Sequence, residues 1–146
     1  LLGNLPLAFQ QNAGQGPAGA DYVAQGQGYN VALSASQASV ELAGDSGSAA
    51  LTLGLVGSNT AAIPLALDKL SGTVNYLIGN DPSDWLTDIA TSSQVEYQDV
   101  YAGIDLVYDG SQGNLEYDFT IAPGADPNAI RLNVAGAQSV SIDPAG

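Results

Sequence analysis

The chain has 146 residues, 45% of them apolar but only 7% aromatic, so Val, Leu, Ile and Ala must build most of the core. Fifteen Asp and Glu face only Lys69 and Arg131, and a net charge of −13 argues against phosphate backbones and anionic lipid as partners. With no Cys and no His, disulfide frameworks, thiolate chemistry, Ser-His-Asp triads and imidazole metal sites are excluded.

The length suits one domain, residues 1–146, able to bury roughly 70% of its unfolded surface. Eighteen Gly and seven Pro, spread along the chain, suit short strands joined by tight turns. The chain opens on an apolar segment in which Leu1, Leu5, Leu7 and Phe9 share one parity and Pro6 takes the other. An extended segment of this kind is an edge or exchanged strand, because Pro cannot donate to a ladder. Gln10 to Ala20, rich in Gln, Gly and Ala, reads as loop, and Tyr22–Ala24 as a short strand. Tyr29–Ser34 and Ser39–Leu42 form a hairpin around Ala35–Ala38, and Gly44–Ser48 is a turn cluster.

In Ala50–Val56, Leu51, Leu53 and Leu55 lie on one face of a strand. Pro64 breaks any helix in Asn59–Leu70, which reads as loop with some extended structure, and Gly72–Ile78 is a further strand. Asp81-Pro82-Ser83-Asp84 is a helix start, with Asp as cap and Pro at the first helical position, good for about one turn before Trp85. Asp126-Pro127-Asn128-Ala129 repeats that chemistry ahead of a strand at Ile130–Val134. Val95–Tyr97 and Val140–Ile142 are short strands. The clearest pattern is Ile104–Ile121: Ile104, Leu106 and Tyr108, then Leu115, Tyr117, Phe119 and Ile121, alternate with Asp, Glu and Thr around the turn Gly110–Gly113. That is an antiparallel hairpin with a dry face and an acidic face.

About ten strands with Gly/Pro turns predict an all-β, antiparallel β-sandwich, alternatively barrel-like, with one or two short helical turns. The predicted inner faces hold Leu51, Leu53, Leu55, Ile104, Leu106, Tyr108, Leu115, Tyr117, Phe119, Ile121, Leu132 and Val134. No apolar run approaches the roughly 20 residues of a membrane span, so membrane insertion is not expected.

Three stretches carry a family resemblance: Asn75-Tyr-Leu-Ile-Gly-Asn-Asp-Pro-Ser-Asp-Trp85, Tyr97-Gln-Asp-Val-Tyr-Ala-Gly-Ile-Asp-Leu-Val-Tyr108, and Leu115-Glu-Tyr-Asp-Phe119 with Ala122-Pro-Gly-Ala-Asp-Pro127 and Ala129-Ile-Arg-Leu132. Pro6-Leu7-Ala8-Phe9, Asn12 and Gly14-Gln15 extend it to the start. The chain resembles the domain of unknown function that precedes SBBP-type β-propeller repeats in bacterial cell-surface proteins. The resemblance implies a secreted β module of the bacterial surface whose Leu1 follows a removed signal, and it supplies no catalytic residues. Asp84 and Asp88 stand where such domains commonly carry basic residues.

Among candidate chemistries, Asp105, Asp109, Glu116 and Asp118 alternate outward on the hairpin, where the paired-carboxylate logic of glycoside hydrolysis lacks the aromatic platforms it needs. Lys69 with Ser71 is the one conceivable Ser–Lys pair, and its side chains would diverge on a strand. Arg131 is expected to pair across strands with Glu116 or Asp118. Asp81, Asp84 and Asp88 are the candidate Ca²⁺ ligands, without EF-hand spacing, so no cofactor is expected beyond that possibility. Trp85 is a core plug or a sugar platform.

The expected function is non-enzymatic: an extracellular structural module that joins copies of itself head to tail by strand donation through Leu1, Leu5, Leu7 and Phe9. The alternative is an adhesion module that binds carbohydrate or calcium. An N-terminal strand lodged in a neighbour points to the first, and an exposed Trp85 beside a groove points to the second. Only one Lys is available to guard sheet edges.

Overall fold

A computed structural model describes residues 5–44, 47–141 and 143–144, so Leu1, Asp45, Ser46 and Ile142 lie outside the described residues. The fold is all-β: one antiparallel sheet curled into a half-barrel, with two isolated 3₁₀ turns. The barrel-like form of the expected architecture is the one adopted. Its ten strands are β1 (Phe9–Gln11), β2 (Tyr22–Gln25), β3 (Tyr29–Ser34), β4 (Gln37–Gly44), β5 (Gly47–Leu55), β6 (Pro64–Tyr76), β7 (Leu86–Tyr101), β8 (Ile104–Asp109), β9 (Glu116–Ile121) and β10 (Leu132–Ala135).

The sheet is organised on β7, whose 16 residues carry three neighbours. Ser92 is opposite both Lys69 and Phe9, and Val95 is opposite both Ala66 and Tyr108. Thus β6 runs along one edge of β7 while β1 and β8 share the other. Two wings leave from that shared edge: β8–β9, and β1–β2–β3–β4–β5–β10. They curl toward each other, and the core lies between them. Phe9, Leu33, Val95, Tyr97, Ile104 and Tyr108 are fully buried there. Along β8 the burial alternates residue by residue, as its sequence dictates.

Several expectations are corrected. Asn59–Leu70 is largely strand, because β6 is an edge where Pro64 needs no ladder partner for its missing N–H. Gln10 and Gln11 belong to β1 rather than to a loop, and Leu86–Gln94 is strand without any apolar alternation to announce it. Val140 is in no strand, and the rest of that predicted element falls partly on Ile142. The turn expected at Gly44–Ser48 is bracketed by the pair Gly44–Gly47. Of the predicted inner-face residues, Leu55, Ile104, Leu106 and Tyr108 are buried, but Leu51 (39% exposed), Tyr117 (42%), Ile121 (41%) and Leu132 (41%) are not. Their faces are inward, but the rims of the two wings do not meet over them.

Both helix starts form as 3₁₀ turns, at Pro82–Asp84 and Pro127–Ala129. Asp81 Oδ1 accepts from the Ser83 N–H at 2.9 Å, and Asp126 Oδ1 from the Asn128 N–H at 3.0 Å. Edge protection comes from more than Lys: Lys69 does sit on the edge strand β6, next to a register shift before Thr73 and a left-handed Asp68 (φ 51°). Among the described residues no helix is long and apolar enough to cross a membrane.

Candidate functional site

The described residues of the expected assembly strand, Leu5, Leu7 and Phe9, differ in burial. Leu7 (2% exposed) and Phe9 (0%) are inside the core of their own chain, Leu5 is 68% exposed, and Leu1 is outside the described residues. The seat of β1 lies between β2 and β7, not at an edge. The Leu7 N–H donates to Gly110 O at 2.8 Å, and the Gly110 N–H to Ser93 O at 2.8 Å, so the segment passes against the β8–β9 turn. A Cβ on Gly110 would come within 2.5 Å of Leu7 Cβ and 3.1 Å of Leu7 O. Only Gly lets the chain through here.

Between the unclosed rims lies an apolar groove of about 240 Å³. Val40, Leu51, Leu53 and Val134 line it from the β4–β5–β10 side, and Leu115 and Tyr117 from the β8–β9 side. Tyr117 and Phe119 pack edge to face with centroids 6.1 Å apart. Tyr108 also lines the groove, and its buried hydroxyl finds no hydrogen-bond partner among the described residues. Burial pushes the Tyr108 pKa well above the usual tyrosine value, so the group stays a protonated donor. By contrast Tyr97, stacked edge to face on Tyr108 at 6.1 Å, donates to Asp21 Oδ2 at 3.0 Å. Among the described residues the strands at the two rims, β9 and β10, each pair on one side only.

Two acidic residues of the hairpin, Asp105 and Asp109, hold turns. Asp105 Oδ1 accepts from the Asp99 N–H at 2.7 Å, and Asp99 Oδ1 from the Gly103 N–H at 3.2 Å. Asp109 accepts from the Ser111 N–H at 2.7 Å and Gln94 Nε2 at 2.6 Å. Although burial acts to raise the Asp109 pKa, the Ser111 and Gln94 hydrogen bonds outweigh it and hold the carboxyl below its ordinary range. The predicted pairing of Arg131 with Glu116 or Asp118 does not form across strands, because β10 pairs β5 whereas β9 pairs β8. Arg131 instead shares a shallow surface depression with Asp126 and Tyr101.

Among the described residues no three His, Cys, Asp or Glu are grouped to hold a metal ion, Asp81, Asp84 and Asp88 included. Hydrogen bonds from Ser83 lower the Asp81 pKa. The Asp88 N–H donates to Asn75 Oδ1 at 2.7 Å. Trp85 is half-buried, its indole N–H donating to Gly79 O at 3.3 Å, and it does not line the apolar groove.

A second groove, of about 390 Å³, lies on the opposite face of the β1–β4 sheet. Gln10, Gln25, Asn30, Glu41 and Tyr76 supply its polar groups. Sequence reasoning missed it. The outward parity of Asn30 and Glu41 is readable, but Gln10 falls in the segment expected as loop, and the approach of Tyr76 depends on the pairing of β6 with β7.

A family profile matches residues 9–146, described as a domain of unknown function, DUF7948. No curated protein and no solved structure matches the chain. With nearly its whole length matched, from β1 through β10 and beyond, the chain belongs to the DUF7948 family.

Proposed function

We propose that this domain is a non-enzymatic structural module of the bacterial cell surface, and that copies join head to tail by laying an apolar segment of one copy into the groove of the next. One observation carries the reading: the groove between the β4–β5–β10 and β8–β9 rims is apolar, open, and walled by a buried tyrosine hydroxyl with no partner among the described residues. An extended segment with Leu1 and Leu5 on one face would cover Leu51, Leu53 and Tyr117, and its carbonyls would accept from Tyr108. The donor is the stretch before Leu7, with Leu1 and the exposed Leu5, while Leu7 and Phe9 stay in their own core. Donor and acceptor are different surfaces of one chain, so the contact is heterologous and its repetition generates an open filament. The resemblance to domains that precede SBBP-type propeller repeats supports the surface location.

The test is a deletion that spares the core. Removing residues 1–5 keeps Leu7 and Phe9, so the variant folds. Size exclusion and electron microscopy should show oligomers or filaments for the full chain and monomers for the deletion. Filaments that persist after the deletion, or a full chain that stays monomeric at every concentration, would sink strand donation.

A further inference from the structure

We infer that the polar groove on the outer face of β1–β4 is a binding site for a neutral oligosaccharide. Its floor is the outward face of three neighbouring strands: Val23 and Gln25 on β2, Asn30 and Ala32 on β3, Ser39 and Glu41 on β4. Across it stands Tyr76, at the end of β6, whose hydroxyl donates to Gln10 Oε1 at 2.8 Å. Gln10 is only 5% exposed, a buried amide held in place at the base of the groove. The tyrosine bond occupies its oxygen and leaves the amide nitrogen to donate.

The third wall is the loop between β1 and β2, through Gln15, Gly16 and Pro17. That loop is fixed by the side chains of Asn12 and Gln15, the latter donating to Gln11 O and accepting from the Ala13 N–H, both at 2.7 Å. Asn12 Nδ2 donates to Pro17 O and Ala20 O, both at 2.9 Å, and Asn12 Oδ1 accepts from the Gly14 N–H at 3.1 Å and the Gly16 N–H at 3.0 Å. The groove is therefore ordered before any ligand arrives, which reduces the entropy lost on binding. At about 390 Å³ it falls in the range of small-molecule sites.

The chemistry selects the ligand class. Amides offer a donor and an acceptor side by side, matching the vicinal hydroxyls of a sugar, each of which both donates and accepts. Val23, Ala32 and the Tyr76 ring offer apolar surface for the C–H face of a pyranose. Neither Lys69 nor Arg131 lines the groove, and its one charged group is the Glu41 carboxylate. Uronic and sialic acids are thus disfavoured. Because the site lies on the face opposite the apolar groove, it is independent of the assembly reading.

The experiment is a screen of purified glucan, mannan, galactan and chitin trimers to hexamers, with uronate and sialylated oligosaccharides alongside, followed by titration calorimetry on the best binder. A neutral oligosaccharide should bind with a sub-millimolar Kd. The exposed Asn30→Ala and Gln25→Ala should each weaken it tenfold or more while leaving the melting temperature unchanged. Tyr76→Phe should weaken it by releasing Gln10. Glu41→Gln should raise the binding of acidic analogues. Absence of binding by every neutral oligosaccharide, preference for an acidic one, or affinity unchanged in the Gln25→Ala/Asn30→Ala double variant would overturn the inference.

Discussion

Phe9 anchors the first strand in the core of its own subunit, and Phe9→Ala tests that seating. Its ring is fully buried among the side chains of its own subunit. Truncating such a ring should cost about 3–5 kcal/mol, the sum of lost transfer free energy and an unfilled cavity. For a domain of this size that corresponds to a fall of roughly 6–20 °C in Tm. The same change at Leu5, 68% exposed, should cost under about 0.5 kcal/mol. Melts followed by circular dichroism over a hundredfold range of protein concentration make the comparison. In a chain that seats its own β1, the Phe9→Ala loss is independent of concentration. A Phe9→Ala melt within about 2 °C of wild type would refute the seating of β1 in its own core. So would a wild-type Tm that collapses on dilution, because the ring would then be supplied by a neighbour.

Three further expectations follow from particular groups. Tyr108→Phe removes a buried hydroxyl that has no partner among the described residues, so the monomer should be unchanged or up to about 1 kcal/mol more stable in urea unfolding, and under the proposed assembly polymer formation should weaken. The pKa values of Tyr97 and Tyr108 are raised, so the stability they contribute is fully present below the ordinary tyrosine value of about 10 and is lost as pH rises beyond it; Asp109 is lowered, so its contribution is present above about pH 4 and lost as pH falls through its folded value. Urea midpoints across pH 2–12 for wild type and Asp109→Asn check both limbs, the variant losing part of the acid limb only. Thermal melts with and without EDTA should superimpose, and a drop of tens of degrees in EDTA would place a structural cation in the fold.

What could be read from the sequence was local. The alternation of Ile104, Leu106 and Tyr108 dictates one dry face, and the Asp-Pro pairs at 81–82 and 126–127 dictate capped turns, because both signals act within a few residues. What could not be read depends on partners far along the chain. Leu86–Gln94 has no alternation: Thr87, Asp88 and Ala90 are exposed, whereas the polar run Thr91–Ser93 is buried where β6 and β1 flank the strand. Burial of Leu7 and Phe9 in cis requires the notch that Gly110 leaves, and one Gly in a turn does not advertise what passes beside it. Tyr117 and Ile121 have the right parity yet remain exposed, since parity fixes direction and says nothing of how far a sheet closes.

The seat of β1 also sets a timetable for synthesis. Phe9 lies against Ser92, about 80 residues further on, so at roughly 5–20 residues per second the first strand waits some 4–16 s for its partner to be made. Through that interval Leu7 and Phe9 have no core to enter, and when β7 does form, its vacant flank will accept the first suitable strand to arrive. Two chains emerging close together would exchange first strands at that moment more readily than at any later time. Under the proposed assembly, polymers formed while chains are still emerging and polymers formed from purified, fully folded subunits should therefore differ in which residues cross from one copy to the next.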